Sequence, residues 1–209
     1  MSSEQVLDFT SPAGEAQLKA LAERLRERNY EVLIVDDGAA AKAEVLARLP
    51  LGAQVHSGKS KTMEDAGIFQ ELMESDRYDF LRKRIFKMDR ATQGDEIRRL
   101  GAAPDYQLGS VQAVTEAGQL VVASASGSQI GPLSQGAKKV IYVIGSQKIV
   151  PDLESALRRI REHVFPYEDA RLREQMGVAT KLTRVLILEQ ADYSPGRSAV
   201  ILVRQPIGV

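Results

Sequence analysis

The sequence predicts an α/β fold, a mostly parallel sheet with helices on both faces. Three observations carry this. Apolar runs of strand length alternate along the chain with amphipathic stretches of helix length. The best runs, Tyr30–Val35 (YEVLIV) and Lys138–Ile144 (KKVIYVI), are nearly continuous rather than alternating, as in strands covered on both sides. The chain has 209 residues, 44% of them hydrophobic, which is enough to fill a sizeable core. One domain over residues 1–209 is expected, with residues 1–11 as a flexible tail.

Residues 12–29 read as the first helix, with Leu18, Leu21 and Leu25 on one face and Pro12 in the first turn. Tyr30–Val35 is a strand, and Asp36-Asp37-Gly38 opens a helix over Ala39–Leu49 that Pro50 ends. Ala53–His56 is a short strand candidate. Met63–Glu74 is helical, weakened at Gly67. The charged stretch 76–103 reads as one or two helices. Tyr106–Thr115 and Gln119–Ser124 flank Glu116-Ala117-Gly118 as a hairpin. Ala125–Gly131 is a loop of small residues, and Lys138–Ile144 is the clearest buried strand. Pro151–Val164 is the clearest helix, with Asp152 and Glu154 in its first turn, and Pro166–Met176 is a further one. Thr183–Glu189 and Ala199–Arg204 are two closing strands, expected to form an antiparallel edge or flap around the turn at Asp192–Gly196.

Composition excludes several chemistries. Without any Cys, this chain has no disulfide, no thiolate zinc site, no cysteine nucleophile and no ligands for an iron–sulfur cluster. Two histidines cannot build a histidine-rich metal site, and no metal is expected. Lys+Arg and Asp+Glu are both 28, so the overall basic field of a nucleic-acid binder is absent. The basic stretch Arg82-Lys83-Arg84, with Lys87 and Arg90, is interleaved with carboxylates and reads as a solvated helix face. No apolar run approaches 18 residues, and the first residues have neither the apolar core nor the basic leader of a signal peptide. A cytoplasmic location is expected, without membrane or nucleic-acid partners. A homo-oligomer is left open.

In open parallel sheets, ligands bind beyond the carboxyl ends of strands. That directs attention to the loops after His56, Thr115, Ser124 and Ile144. Gly58-Lys59-Ser60-Lys61-Thr62 lies between a strand and a helix, where backbone N–H groups and lysines can hold an anion. It is not a P-loop, because Ala53 stands where that motif needs glycine. The competing reading is an ordinary helix cap by Ser60 or Thr62. Glu116, in the turn after Thr115, is a candidate acid, base or nucleophile, or else an exposed turn residue. The loop around Gly127 can cradle a phosphate or carboxylate, or act as a simple crossover. Gly145 and Lys148 follow the best strand, and Lys148 can clamp a ligand's charge or remain solvated. His56 at a strand end is a candidate base, with a structural histidine as the alternative.

Four segments in order carry a resemblance. They are SKTMEDAG (60–67), GSVQAVTEAG (109–118), KKVIYVIGSQKIVPDL (138–153) and AVILVRQPIG (199–208). Together they resemble the LUD (lactate-utilisation) domain family over roughly residues 15–208. The resemblance implies a three-layer α/β/α fold like that of sugar-phosphate isomerases and CoA transferases. It also implies a role in oxidising lactate or related 2-hydroxy acids, beside iron–sulfur or flavin partner proteins. Some members carry a cysteine-rich segment before the closing strands, whereas Gln175–Thr183 is short here and has none. Any cluster would therefore belong to a partner. The family leaves the cofactor open, and many members have no assigned reaction.

The functional expectation is an accessory or ligand-binding component for a small anion. Gly58, Ser60, Lys61, Thr62, Gly109, Ser110, Thr115, Gly127, Gly145 and Lys148 are the candidate lining. The alternatives are a CoA- or phospho-substrate transferase or isomerase using Glu116, and a noncatalytic partner-binding subunit. The first alternative rests on the likeness of Thr115-Glu116-Ala117-Gly118 to the glutamate element of CoA transferases, in which Ala117 replaces an asparagine.

Overall fold

The structure, a computed structural model, describes residues 8–193 and 195–209. The chain begins with α1 (Glu15–Glu27), β1 (Glu31–Val35), α2 (Gly38–Ala47), β2 (Gln54–Ser57), α3 (Lys61–Asp65) and α4 (Ile68–Glu74). It continues with β3 (Asp79–Phe80), α5 (Leu81–Ile85), α6 (Gly94–Ala102), β4 (Tyr106–Gly109), β5 (Ala113–Thr115) and β6 (Leu120–Ser124). It closes with β7 (Lys139–Gly145), β8 (Ile149–Val150), α7 (Leu153–Arg159), α8 (Phe165–Met176), β9 (Arg184–Leu188) and β10 (Ser198–Val203). No described helix is long and apolar enough to cross a membrane.

Six strands pair in parallel in the order β1-β10-β7-β4-β2-β3. Helices cover both faces, as the sequence predicts. On one face Ala41, Val45, Met63, Ile68 and Leu72 from α2, α3 and α4 meet Val55, Leu108, Val143 and Ile201 of the sheet. On the other, Leu18, Leu21 and Leu25 of α1 meet Val140, Tyr142, Val200 and Leu202. Side chains alternate across each strand, so residues one apart on β7 and β10 enter different cores.

A second sheet, of order β8-β5-β6-β9, packs onto the α1 side. Val114, Leu120 and Val122 point into the cluster shared with the main sheet. Ala113 and Val121 point the other way, onto Ala156 of α7 and Ile160. The hairpin of β5 and β6 is present and antiparallel. The expected long strand Tyr106–Thr115 is instead two strands, in two sheets. The reason is hydrogen-bond capacity: β4 pairs with β2 on one edge and β7 on the other, leaving no edge for β6. The chain leaves the main sheet after Gly109 and pairs again from Ala113.

The closing strands also depart from expectation. They do not form an antiparallel flap. Strand β10 is inserted in the interior of the main sheet, between β1 and β7, and all six of its residues are buried. Strand β9 pairs antiparallel with β6 at the edge of the small sheet. Its Leu186 and Leu188 pack inward while Val185 and Ile187 are exposed.

Smaller differences have local causes. Pro12 lies before the first helix, which starts at Glu15 behind Gly14. The predicted helix Met63–Glu74 breaks at Gly67, whose φ of +67° a side chain would resist, into α3 and α4. The charged stretch 76–103 contains the short strand β3 as well as α5 and α6. Asp37 and Asp152 cap α2 and α7, accepting from the backbone N–H of Ala40 (2.9 Å) and Ser155 (2.8 Å). A π-helical turn at Ile160–Val164 joins α7 to α8 without a break. Of the tail expected over 1–11, residues 1–7 lie outside the described residues. Phe9 packs beside Leu153 and Ile160.

The two closing strands should differ sharply in substitution. Ile201→Ala, in the middle of the sheet, should lower stability by about 2–5 kcal/mol. Val185→Ala, on the exposed face of β9, should stay within about 0.5 kcal/mol of the parent. Urea midpoints at constant m-value measure both; equal losses would contradict this placement of the two strands.

Candidate functional site

Strands β7, β4 and β2 are neighbours and run the same way, so their carboxyl ends open at one edge. A cleft of about 230 Å³ lies there. Its near wall is Gly58–Thr62 after β2 together with Ser110 after β4. Lys148 enters from a 3-10 turn, Ser146–Lys148, directly after β7. The far wall is Ala123–Ser126 with Ser128 and Gln129, from the end of β6 and the loop after it, and the helical segment from Ile160 to Leu172 closes one side.

Lys148 is the central feature. It is only 2% exposed, with its ammonium held inside the protein. Nζ donates to Thr62 Oγ1 (2.7 Å), Ser110 Oγ (3.1 Å) and the Val111 carbonyl (3.1 Å). All three acceptors are neutral. Burial strips water from the ammonium, and the Arg159 guanidinium adds repulsion. Together these pull the Lys148 pKa down to about 7, against attraction from Asp65 and Glu168 beyond bonding distance.

Arg159 is a second buried cation without a carboxylate partner in hydrogen-bond range. It is 0% exposed, and its guanidinium donates to the carbonyls of Gln112 and Phe9. Burial lowers its pKa to about 10, so it stays charged. Arg171 on α8 lines the cleft and bridges Glu168 (2.9 Å) and Glu64 (3.1 Å). Lys59, Lys61 and Lys181 complete the rim. Lys61 is paired with Asp65, and Lys59 donates to Gln175 (3.1 Å). Among the described residues of the lining, Glu168 is the one acidic side chain beside five Lys and Arg side chains.

Of the residues singled out in the sequence, Gly58, Ser60, Lys61, Thr62, Ser110 and Lys148 line the cleft. Gly58 passes so close to Gln129 of the opposite wall that a Cβ would overlap its amide oxygen. Ser60 caps α3, accepting weakly from Met63 N–H (3.5 Å). That helix has only five residues, so the positive field expected from a helix start comes from the lysines instead. Gly208 passes so close to Thr62 that a Cβ there would overlap the hydroxyl that accepts from Lys148.

The other candidates lie elsewhere. Gly109 ends β4 one residue short of the lining. Gly127 packs on Arg184, and Gly145 lies under the backbone of Ile207. Thr115 closes the hairpin, its hydroxyl accepting from Gln119 N–H (3.0 Å). Glu116 is exposed on the far side of that turn and accepts from Gln17 Nε2 (2.8 Å). The structure does not bring it to the cleft. His56 is buried against Gln107, whose side-chain NH₂ donates to the Leu108 carbonyl. Gln107 Oε1 therefore accepts from His56 Nδ1–H, and burial holds the imidazole below its ordinary pKa. Sequence reasoning missed Arg159 and Arg171. The signal for Arg159 was its place three residues after Ala156 and beside Ile160, on the buried side of α7. Among the described residues no group of three or more His, Asp or Glu could hold a metal ion.

The model of the LUD domain matches residues 18–203. The chain belongs to the LUD-domain family. Its fold is similar to the crystal structure of a DUF162 family protein from Deinococcus radiodurans, with a TM-score of 0.55 at 13% identity. That match covers 92% of this chain and 99% of the other. No curated protein matches the chain. The family match ends at Val203, the last residue of β10, so it takes in both sheets.

The low pKa of Lys148 makes stability depend on pH in a defined window. An unfolded lysine keeps its proton to about 10.5, whereas the folded Lys148 releases it near 7. Between those values the unfolded chain binds more protons, so this group makes stability rise with pH. Wild type should therefore gain stability relative to Lys148→Met from pH 7 toward pH 10, and run parallel to it below pH 6. Urea unfolding across that range checks the slope; parallel curves throughout would place the lysine pKa at its ordinary value.

Proposed function

We propose that this LUD-domain protein binds a small carboxylate anion of the 2-hydroxy- or 2-oxo-acid class in the cleft around Lys148. It would act as a ligand-binding or accessory component of lactate or related acid utilisation in the cytoplasm, as a single domain. Any iron–sulfur cluster would belong to a partner, since the chain has no Cys.

One observation carries this reading. Lys148 is a buried cation with only neutral partners, at the floor of a cleft whose rim is positively charged. A buried charge without a counter-charge is costly, and an anion bound beside it relieves that cost. The hydroxyls of Ser60, Thr62 and Ser110 add donors for carboxylate oxygens. The modest volume favours a small acid. The family's link to lactate supplies the class.

The transferase alternative rested on Glu116, which lies outside the cleft, and no observation favours it.

Calorimetric titration with L-lactate and with pyruvate tests the reading. At least one should bind, and Lys148→Met should raise its Kd by about tenfold or more, the value of one charge-assisted contact. Glu116→Gln should leave the Kd unchanged. Absence of binding by either acid, or equal affinity in the Lys148→Met protein, overturns the reading.

A further inference from the structure

We infer that Lys148 is a nucleophile as well as an anchor, forming a reversible imine with the carbonyl carbon of a small 2-oxo acid held in the cleft. This rests on the reading of the cleft as a carboxylate site and adds covalent chemistry to it.

The geometry supports the step. A nucleophilic lysine must be shielded from water, must reach a ligand pocket, and must not be tied to a carboxylate that would keep it protonated. Lys148 meets all three conditions. It is 2% exposed, it lines the cleft, and its hydrogen bonds go to two hydroxyls and a carbonyl. Lysines that serve only as structure are commonly paired with acids. The exposed Lys61, for example, is held by Asp65.

The hydroxyl partners matter in both protonation states. Thr62 Oγ1 and Ser110 Oγ accept from the ammonium, and a neutral amine keeps two N–H groups to donate to them, which leaves its lone pair free. The site therefore holds Nζ in place with or without its proton. Arg159 adds repulsion that discourages protonation while keeping its own charge. With its pKa near 7, Lys148 supplies a large fraction of free amine at neutral pH. Lys59 and Lys181 on the rim are in no ion pair among the described residues and are placed to hold the carboxylate, which would leave Nζ for the adjacent carbonyl.

The step balances without a redox partner. The Nζ lone pair attacks the carbonyl carbon, and the carbonyl oxygen takes a proton to give a carbinolamine. Nitrogen then loses its second proton, the hydroxyl leaves as water, and a C=N bond replaces C=O. The net reaction is amine plus 2-oxo acid giving imine plus water. Thr62 and Ser110 are placed to relay these protons. A 2-hydroxy acid has no carbonyl, so it occupies the site without bonding.

Reductive trapping tests this. The full chain is incubated with pyruvate and sodium cyanoborohydride, and adducts are read by intact mass and peptide mapping. A single reduced adduct on Lys148, suppressed by an excess of L-lactate, is the expected result. Lys148→Arg keeps the charge and should abolish it; peptide mapping of wild type alone decides the matter should that variant fail to fold. Pyruvate that binds by calorimetry but leaves no adduct on Lys148 overturns the imine and leaves the carboxylate reading standing. Adducts scattered over exposed lysines such as Lys59 or Lys181 likewise overturn it. Failure of both acids to bind overturns the cleft reading and this inference with it.

Discussion

Parallel pairing of β2, β4 and β7 is the constraint on which the rest of the molecule depends. Parallel neighbours must reach the opposite end of the sheet before they can pair again, so each hands its chain to a crossover at the same edge. Three such exits, at Ser57, Gly109 and Gly145, are brought side by side. Thr62, Ser110 and Lys148 follow them within a few residues, which is why groups far apart in sequence meet at one ammonium.

That ammonium and the Arg159 guanidinium are the buried Lys and Arg side chains among the described residues. Each is buried with neutral oxygen partners, a hydroxyl pair and a carbonyl for one and two carbonyls for the other. Two buried cations that repel one another are an expensive arrangement, and a structure seeking stability alone would place Met or Leu at these positions. Only Lys148 of the two lines the cleft. The main sheet shows the contrast, with β10 buried along its whole length and filled by Ala, Val, Ile and Leu after Ser198.

Much of the fold was legible because local pattern and tertiary position agree there. The continuous run at 138–144 became the interior strand β7, the run at 30–35 became the partly buried edge strand β1, and the spacing of Leu18, Leu21 and Leu25 became the buried face of α1. The separate sheet was not legible, because pairing partners are not encoded in a strand's own residues. Nothing within 106–115 says that Gly109 and Ala113 belong to different ladders. The same limit hid the insertion of β10 between β1 and β7. At the site, Lys148 was visible as a lysine at a strand end. Its burial was not, since Thr62 and Ser110 stand 86 and 38 positions away. Glu116 stood out as a carboxylate in a turn, but the turn closes away from the cleft.

The small sheet has one more consequence. Its described strand pairings stay within it, and it meets the main sheet through side chains such as Val114, Leu120 and Val122. One wall of the cleft comes from the end of β6 in the small sheet and the loop after it, while the loop after β2 follows the main sheet and Lys148 lies between β7 and β8. The cleft is thus a seam between two separately bonded bodies. Lys148 stands where the chain passes from one ladder to the other, between β7 and β8, so the buried ammonium marks a point at which the two sheets are joined.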